Sequence, residues 1–323
     1  MTNLDNEQLI ELYRIMALAR AIDERLWQMN RQGLTHFAVP CAGHEGVGAA
    51  YAMALKPGHD FLAPHYRDMS ALLAVGQSAV DIMLHALAKA GDPAGAGRQM
   101  FAHWGDRKRN IVTLSSPQPN HILHGVGIAL ASQLRHEDAV TVIAFGDGSS
   151  SKGDFHEGLN FAGIYKLPCV FICETNGFSI SVPQSKQMAV HDVAIRAQGY
   201  GFEGIVVDGC DPVRVYEVSR AAVDKARSGG GPTLIETKVE RLLPHTSNDD
   251  DTRYRSREEL DRIRQQRDPV PLFRRRLLSE GVLSDELLAR ISADIAAEVD
   301  EAQRSATAAP PPLPADTLKH VYA

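Results

Sequence analysis

The feature that most constrains the fold is an alternation of short apolar runs with helical patterns between residues 139 and 242. The first run, AVTVIAFG (139–146), is rich in β-branched residues and lacks polar alternation, which is typical of a strand buried on both faces of a parallel sheet. Further strands are predicted at 167–175, 204–209 and 232–242, and helices at 152–166, 191–198 and 211–229. This alternation predicts an α/β fold with a doubly wound, mostly parallel sheet.

Helical patterns flank this region on both sides. They are predicted at 5–33, 43–55, 67–75, 78–89 and 120–134 before it, and at 258–267, 270–280 and 284–306 after it, ahead of a Pro-rich extended tail. Because 44% of the 323 residues are hydrophobic, the chain can bury a large core. We predict a single domain over residues 1–323, consisting of a helical N-terminal segment (1–90), an α/β core (about 110–243), an active-site loop (244–257), and C-terminal helices with a tail (258–323).

Charge and composition argue against several classes of protein. The net charge of −6 leaves no excess of Lys and Arg to match the phosphates of nucleic acid. No run of about 20 apolar residues predicts a membrane span, and the charged, helix-periodic N-terminus is unlike a signal peptide. The four cysteines form no CxxC pair, so we expect buried, reduced thiols in a cytoplasmic protein.

A candidate site begins where the first buried strand ends, in the sequence GDG (146–148). Ligands of open α/β sheets bind at the carboxyl ends of the strands, where Gly146 and Gly148 would allow a tight turn and Asp147 would face the ligand. The helix that follows directs its amide groups to the same place, which favours a phosphate. A lone GDG is most often an ordinary turn, so the interpretation depends on what lies beside it.

Asn176 follows Asp147 by 29 residues, a stretch that holds one helix and one strand. One β–α–β step places Asn176 at the carboxyl end of the neighbouring strand. A carboxylate and an amide oxygen, together with the carbonyl of Phe178, are ligands that suit Mg²⁺ bound to a phosphate. GSSSKG (148–153) does not complete a P-loop, and GVGIAL (125–130) does not complete a dinucleotide fingerprint, so an NAD-binding dehydrogenase is disfavoured.

The segment 146–181 resembles the thiamine diphosphate motif, in which GDG is followed one β–α–β unit later by Asn. It is similar in particular to the alpha subunit of the decarboxylating component of 2-oxoacid dehydrogenase complexes, with the branched-chain type closest. Further matching segments run in order along nearly the whole chain: AGHEG (42–46), PHYRD (64–68), GRQMFAHWGDRKRNIVTLSSP (97–117), PHTSNDDDTRYR (244–255) and HVYA (320–323). On these motifs the chain is identified as a member of this family, with a thiamine diphosphate-binding fold.

The resemblance implies a function and a set of site residues. The function is oxidative decarboxylation of a 2-oxo acid, with a branched-chain acid favoured, using thiamine diphosphate and Mg²⁺, followed by acyl transfer to a lipoyl group. The metal ligands would be Asp147, Asn176 and the Phe178 carbonyl; the diphosphate would meet Tyr66, Arg67 and the amides of Gly148 and Ser149; Ser116 and the Gln118 backbone would contact the aminopyrimidine; and His245 would lie over the thiazolium as the catalytic residue.

Several positions depart from the family pattern. Thr175 stands where the first of two asparagines is usual, which leaves the metal-binding Asn176 in place. Asn120 and His121 replace a Thr–Gln pair that contributes to a potassium site in the branched-chain type, so a structural potassium ion is left open.

The resemblance also implies partners. In this family the carboxylate that activates the aminopyrimidine belongs to a beta subunit, which implies an α2β2 assembly, and the acyl group passes to a lipoyl-bearing acyltransferase. Neither nucleic acid nor a membrane is expected as a partner. Pyruvate and acetoin dehydrogenase alpha subunits share most of these motifs and stay open as alternatives. A non-catalytic structural subunit is another kind of alternative, against which the intact Asp147, Asn176, Arg67 and His245 argue.

Overall fold

Seven strands and ten α-helices form within residues 4–115 and 117–319, the part of the chain that the structure, a computed structural model, describes. The strands are β1 (Phe61–Ala63), β2 (Thr141–Gly146), β3 (Cys169–Thr175), β4 (Phe178–Ser179), β5 (Val182–Pro183), β6 (Glu203–Asp208) and β7 (Thr233–Lys238). The helices are α1 (Asn6–Arg31), α2 (Glu45–Met53), α3 (Met69–Ala74), α4 (Ala79–Ala86), α5 (His121–Leu134), α6 (Gly153–Tyr165), α7 (Pro212–Arg227), α8 (Arg257–Gln266), α9 (Pro269–Ser279) and α10 (Asp285–Ala308).

A parallel sheet in the order β1-β2-β3-β7-β6 forms the centre of the molecule. Alternate residues of β2 face opposite sides of it, so that Val142 and Ala144 belong to one buried cluster and Ile143 and Phe145 to the other. Helices cover both faces, which explains why β2 and β3 are continuous apolar runs. The predicted doubly wound, mostly parallel sheet is confirmed.

The register of the two central strands positions the site. Gly146 at the end of β2 pairs with Glu174 near the end of β3. The chain therefore leaves β2 at Asp147 and leaves β3 at Asn176 at the same edge of the sheet, as the β–α–β argument predicts.

Several predicted elements need correction. Phe61–Ala63 pairs in parallel with β2, although it lies in the segment 1–90 and outside the predicted α/β core. Three residues carry too little periodicity to reveal a strand. The segment predicted as a helix at 191–198 is a 3₁₀ segment at Val193–Tyr200, whose Ala194 N donates to the buried Glu236 carboxylate (2.8 Å). The hairpin of β4 and β5 was not predicted, because two-residue strands have no period.

Helix α5 packs very closely on the sheet, as its Gly/Ala-rich sequence predicts. A Cβ at Gly125 would lie 2.6 Å from the Ile143 side chain, so only glycine fits there. His121, in the first turn, donates from Nε2 to the carbonyl of Ala144 (2.8 Å). The residues just before α5 therefore lie at the carboxyl edge of the sheet.

Helices α1 and α10 pack together and are joined by ion pairs of Arg14 with Glu298 (2.8 Å) and of Arg25 with Asp300 (2.6 Å). The Pro-rich tail folds back on the chain itself, since Ala90 N donates to the Pro310 carbonyl (3.1 Å). It includes a 3₁₀ turn at Pro314–Leu318 and is therefore not wholly extended. The HVYA segment lies outside the described residues.

None of the described helices combines the length and the apolarity that crossing a membrane requires.

Candidate active site

A cavity of about 190 Å³ opens at the carboxyl edge of the sheet, beyond the ends of β2 and β3. Its walls include most of the predicted site residues: Tyr66, Gln118, Asp147, Gly148, Ser149, Asn176, Phe178 and His245. Ser116 lies outside the described residues, and Arg67 lies behind the wall, against His245. The fold thus brings segments from distant parts of the chain to one place.

Asp147 is the first residue after β2 and is only 2% exposed. Neither of its carboxylate oxygens accepts a hydrogen bond from the residues that the structure describes. Burial raises the pKa of Asp147 to about 6, although the neighbouring backbone amides of Asp147 and Asn176 oppose the shift. Buried carboxylates are normally paired or bound to a metal, so the Asp147 carboxylate fits a cation.

Asn176 supplies a second oxygen at the same edge. Its Oδ1 accepts a hydrogen bond from Phe178 N (3.2 Å), and its Nδ2 lies 3.5 Å from Nε2 of His44. Phe178 starts the hairpin of β4 and β5, which forms another wall of the cavity. A carboxylate, an amide oxygen and a nearby backbone carbonyl form a donor set of hard ligands that fits Mg²⁺.

The turn after Asp147 is shaped to hold an anion. It is a 3₁₀ turn over Asp147–Ser151 that leads directly into α6, and its residues Gly148 and Ser149 line the cavity. A Cβ at Gly148 would lie 2.4 Å from Ser179 Oγ, so only glycine allows the hairpin to approach the turn this closely. Lys152, which also lines the cavity, adds a positive charge.

Arg67 fixes the position and the tautomer of His245. The Arg67 side chain is buried, with Nη1 donating to the Pro40 carbonyl (2.7 Å) and Nη2 lying 2.9 Å from His245 Nδ1 and 3.1 Å from the His245 carbonyl. A guanidinium can only donate, so His245 Nδ1 accepts and the ring proton is on Nε2. Burial, together with the charges of Arg67 and Arg241, lowers the pKa of His245 to about 3, so the ring is neutral near pH 7.

A hydrogen-bond network orders the loop that carries His245. Arg241 Nη2 donates to the Tyr254 hydroxyl (2.6 Å), and that hydroxyl donates to the Asp249 carboxylate, which also accepts from His245 N (2.8 Å). Arg255 Nη2 donates to the Arg241 carbonyl (2.7 Å). His245 is therefore held both from Arg67 and from within its own loop.

A second cavity of about 130 Å³ adjoins the first and shares Tyr66 and His245 with it. Its other lining residues include no Asp, Glu, Lys or Arg and are mostly apolar: Phe37, Val39, Met100, Phe101, Ala102, His103, Leu114, Ser115 and Thr246. The volume and lining suit a small aliphatic group placed next to His245.

Three buried polar residues at the site were not predicted to take part in it. Glu174 Oε2 lies 2.5 Å from His44 Nδ1 and 3.4 Å from His65 Nδ1, and His65 also lines the first cavity. A signal was present, because Glu174 is an acidic residue in an otherwise apolar strand and the two histidines stand in AGHEG and PHYRD. Their proximity depends on the fold, because 130 residues separate His44 from Glu174.

Comparison with known proteins gives concordant results. Residues 13–315 match the family model described as "Dehydrogenase E1 component". The chain is 45% identical over 320 residues to the 2-oxoisovalerate dehydrogenase subunit alpha of Bacillus subtilis (99% of this chain, 97% of that protein). It is 38% identical over 295 residues to the 3-methyl-2-oxobutanoate dehydrogenase subunit alpha of Mycobacterium tuberculosis (90% and 76%). It is 36% identical over 326 residues to the pyruvate dehydrogenase E1 component subunit alpha of Bacillus subtilis (100% and 84%).

Proposed function

Because the chain belongs to the dehydrogenase E1 component family, we propose that it is the alpha subunit of a branched-chain 2-oxo acid dehydrogenase. The family is thiamine diphosphate-dependent and carries out oxidative decarboxylation of 2-oxo acids. The observation that carries the proposal is the buried Asp147 carboxylate, which has no partner among the described residues and shares its cavity with Asn176 and the neutral His245.

The predicted site residues divide between the metal and the two ends of the cofactor. Mg²⁺ would be held by Asp147, Asn176 and the Phe178 carbonyl. The diphosphate would meet the amides of Gly148 and Ser149 with Tyr66 and Arg67, and the aminopyrimidine would meet Ser116 and the Gln118 backbone. For Arg67, whose Nη groups already hold Pro40 and His245, the buried Nε is the nitrogen that lacks a partner among the described residues.

When bound, thiamine diphosphate supplies the nucleophilic carbon and the electron sink that decarboxylation needs. The chain's own part is to bind and orient. Arg67 occupies His245 Nδ1, which leaves the Nε2–H to donate a hydrogen bond to an oxygen of the substrate. The low pKa keeps His245 neutral near pH 7, so it offers this hydrogen bond without a fixed charge beside the cofactor.

The lining of the second cavity supports a branched-chain 2-oxo acid as the substrate. A branched aliphatic side chain would fill the apolar space beside His245, whereas the methyl group of pyruvate would leave most of it empty. Binding discrimination of this kind is modest, about 1–3 kcal/mol for each methylene. The lining therefore supports preference for a branched acid over pyruvate rather than complete exclusion of pyruvate.

A beta subunit is the proposed partner, and the exposed face of α5 and α6 is its proposed docking surface. No charged residue occurs from Leu123 to Leu134 in the sequence, and Leu134, Ile164 and Tyr165 are all more than half exposed. A Cβ at Gly127 would meet nothing within 4 Å among the described residues, so the face is open there. Both helices start at the edge of the sheet that carries the site, so a subunit docked along their exposed apolar residues could reach and complete that site.

The test of function uses this chain co-purified with its beta subunit. We expect Mg²⁺-dependent binding of thiamine diphosphate, and reduction of an artificial acceptor with 3-methyl-2-oxobutanoate at a higher kcat/KM than with pyruvate or acetoin. Val39→Phe, which narrows the second cavity, should lower kcat/KM for the branched acid more than for pyruvate. Equal or greater activity with pyruvate or acetoin would assign the chain to those types, and absence of cofactor binding and turnover would favour a structural subunit.

The partner is tested separately. Gly127→Arg places a charge on the open face and should reduce co-purification of the beta subunit, whereas Ala297→Arg on the exposed side of α10 should not. Full turnover by this chain alone would contradict the need for a beta subunit. Acyl transfer to a lipoyl-bearing acyltransferase and a cytoplasmic location are further parts of the proposal; the four free, buried cysteines are compatible with the latter.

A further inference from the structure

The environment of Asn176 raises the question of what orients its amide group. An asparagine amide can turn over and exchange its oxygen and nitrogen, and only the oxygen can bind a cation. Phe178 N donates to Oδ1 at 3.2 Å, which leaves Nδ2 facing His44 Nε2 at 3.5 Å. Both Asn176 and His44 are buried, so neither contact is replaced readily by water.

We propose that His44 orients Asn176 so that the amide oxygen faces the cation site. His44 Nδ1 lies 2.5 Å from Glu174 Oε2, and because a carboxylate is an acceptor, Nδ1–H donates this hydrogen bond. His44 Nε2 then carries a lone pair and accepts from the Asn176 amide nitrogen. The turned-over amide would place its oxygen against that lone pair, which is unfavourable.

Glu174 anchors the series of contacts that runs through His44 to Asn176. It lies in the buried strand β3, two residues before Asn176, and its Oε2 also lies 3.4 Å from His65 Nδ1. The sheet therefore fixes both the asparagine and the carboxylate that sets the histidine tautomer. His44 is a positioning residue, which acts on the cation only through Asn176, and the inference rests on the proposed function of Asp147 and Asn176 as Mg²⁺ ligands.

The variants separate orientation from packing. His44→Leu and His44→Met keep an apolar side chain of similar size but cannot accept a hydrogen bond. His44→Gln can accept from Asn176 with Oε1 and donate to Glu174 with Nε2, so it should restore the function. His85→Leu is the matched control, because His85 is a similarly buried histidine of α4 that packs beside Phe101 and Trp104 and does not line the cavity.

The measurement is the apparent Kd for Mg²⁺ at saturating thiamine diphosphate, read from intrinsic fluorescence or calorimetry of the chain assembled with its beta subunit. His44→Leu and His44→Met should raise this Kd by about tenfold or more, the range found when a residue that holds a metal ligand is removed. His44→Gln should stay within about threefold of the unmodified protein on the same basis, and His85→Leu should not change the Kd.

A second background tests orientation directly. In Asn176→Asp either orientation presents an oxygen, so adding His44→Leu there should change the Mg²⁺ Kd much less than it does beside asparagine. An unchanged Kd in His44→Leu and His44→Met, equal weakening in His44→Gln, or an undiminished effect in the Asn176→Asp background would overturn the inference. If the unmodified complex shows no Mg²⁺-dependent cofactor binding, the proposed function fails instead.

Discussion

Two buried aspartates at opposite edges of the sheet have opposite surroundings. Asp60, just before β1 at the amino edge, accepts from Lys56 N (2.7 Å), Val140 N (2.9 Å) and both Nη groups of Arg227 (3.0 and 2.7 Å). Asp147, at the carboxyl edge, accepts no hydrogen bond from the described residues. Both are nearly inaccessible to solvent, so burial alone does not separate a structural carboxylate from a functional one, whereas the number of partners does.

The same contrast holds for the arginines. Arg227 forms a bidentate ion pair with Asp60. Arg67 and Arg241 are buried beside the site, and the Nε of each has no partner among the residues described. Buried charge that the protein leaves unpaired is costly, and such groups concentrate at functional sites. The amino edge stabilises the fold, and the carboxyl edge is arranged for a ligand.

The largest expected effect on stability comes from removing Asp60, the fully paired aspartate of the comparison. Asp60→Ala removes the partner of a largely buried Arg227 and the acceptor of two backbone N–H groups, and should lower the free energy of unfolding by about 3–5 kcal/mol. Urea denaturation gives this value. Asp138→Ala is the control, since Asp138 also pairs with Arg227 but is 56% exposed, and should have a much smaller effect. Equal losses in the two variants would contradict the distinction.

Removing the charge of Asp147 should have the opposite effect on stability. Asp147→Asn removes a buried, unpaired charge, so the free energy of unfolding without cofactor should stay the same or rise. Mg²⁺-dependent binding of thiamine diphosphate should weaken by about 100-fold or more, since Asp147 is a proposed ligand and loss of a group that only supports a ligand already costs up to about that factor. Calorimetric titration and urea denaturation of the same preparation measure the two effects. A destabilised variant with unchanged cofactor binding would reverse the assignment.

Asp23 is intermediate between Asp60 and Asp147, because it accepts hydrogen bonds from two backbone amides but still has a raised pKa. Its Oδ2 accepts from Cys41 N (3.0 Å) and Ala42 N (3.1 Å), and burial together with the charge of Glu45 raises its pKa to about 7, although Arg20 opposes the shift. The pKa of Asp23 in the folded protein exceeds the unfolded value of about 4. The contribution of Asp23 to the free energy of unfolding is therefore fully present below about pH 4 and is lost as the pH rises through about 7.

Asp23→Asn tests this pH dependence. Relative to the variant, the unmodified protein should lose roughly 2 kcal/mol of unfolding free energy between pH 5 and pH 7, because each pKa unit corresponds to about 1.4 kcal/mol. Asparagine keeps an oxygen for the two backbone donors, so the variant should fold. Urea denaturation at several pH values gives the difference, and parallel curves for the two proteins would refute the prediction.

The smallest expected effect concerns backbone strain at the carboxyl edge. Ile180 has φ +57° in the hairpin of β4 and β5 and lines the first cavity, although β-branched residues rarely adopt this conformation. Ile180→Gly should raise the free energy of unfolding by about 1 kcal/mol and weaken cofactor binding. Lys166→Gly, at φ +49° after α6, should give a similar gain without changing cofactor binding. Weakened binding in both variants would show that the effect is not local.

The site could be predicted as far as its residues precede or follow long, periodic strands. Asp147 and Asn176 were found because β2 and β3 are continuous apolar runs separated by one helix. His245 and Tyr66 came from the family resemblance, since a histidine in a polar loop carries no signal of its own. The role of Glu174 with His44 could not be predicted, because a contact between residues 130 positions apart depends on the packing of α2 against the sheet.

By itself, the sequence determined the layered α/β architecture and predicted the edge of the sheet at which a ligand is proposed to bind. Period and strand length are local properties, and parallel strands joined by helices have few possible arrangements. The tertiary structure decided which buried polar groups are paired and which are left for a ligand. Asp60 and Asp147 are the same residue type with similar burial, and their roles differ because Arg227 packs against one and no described cation pairs with the other.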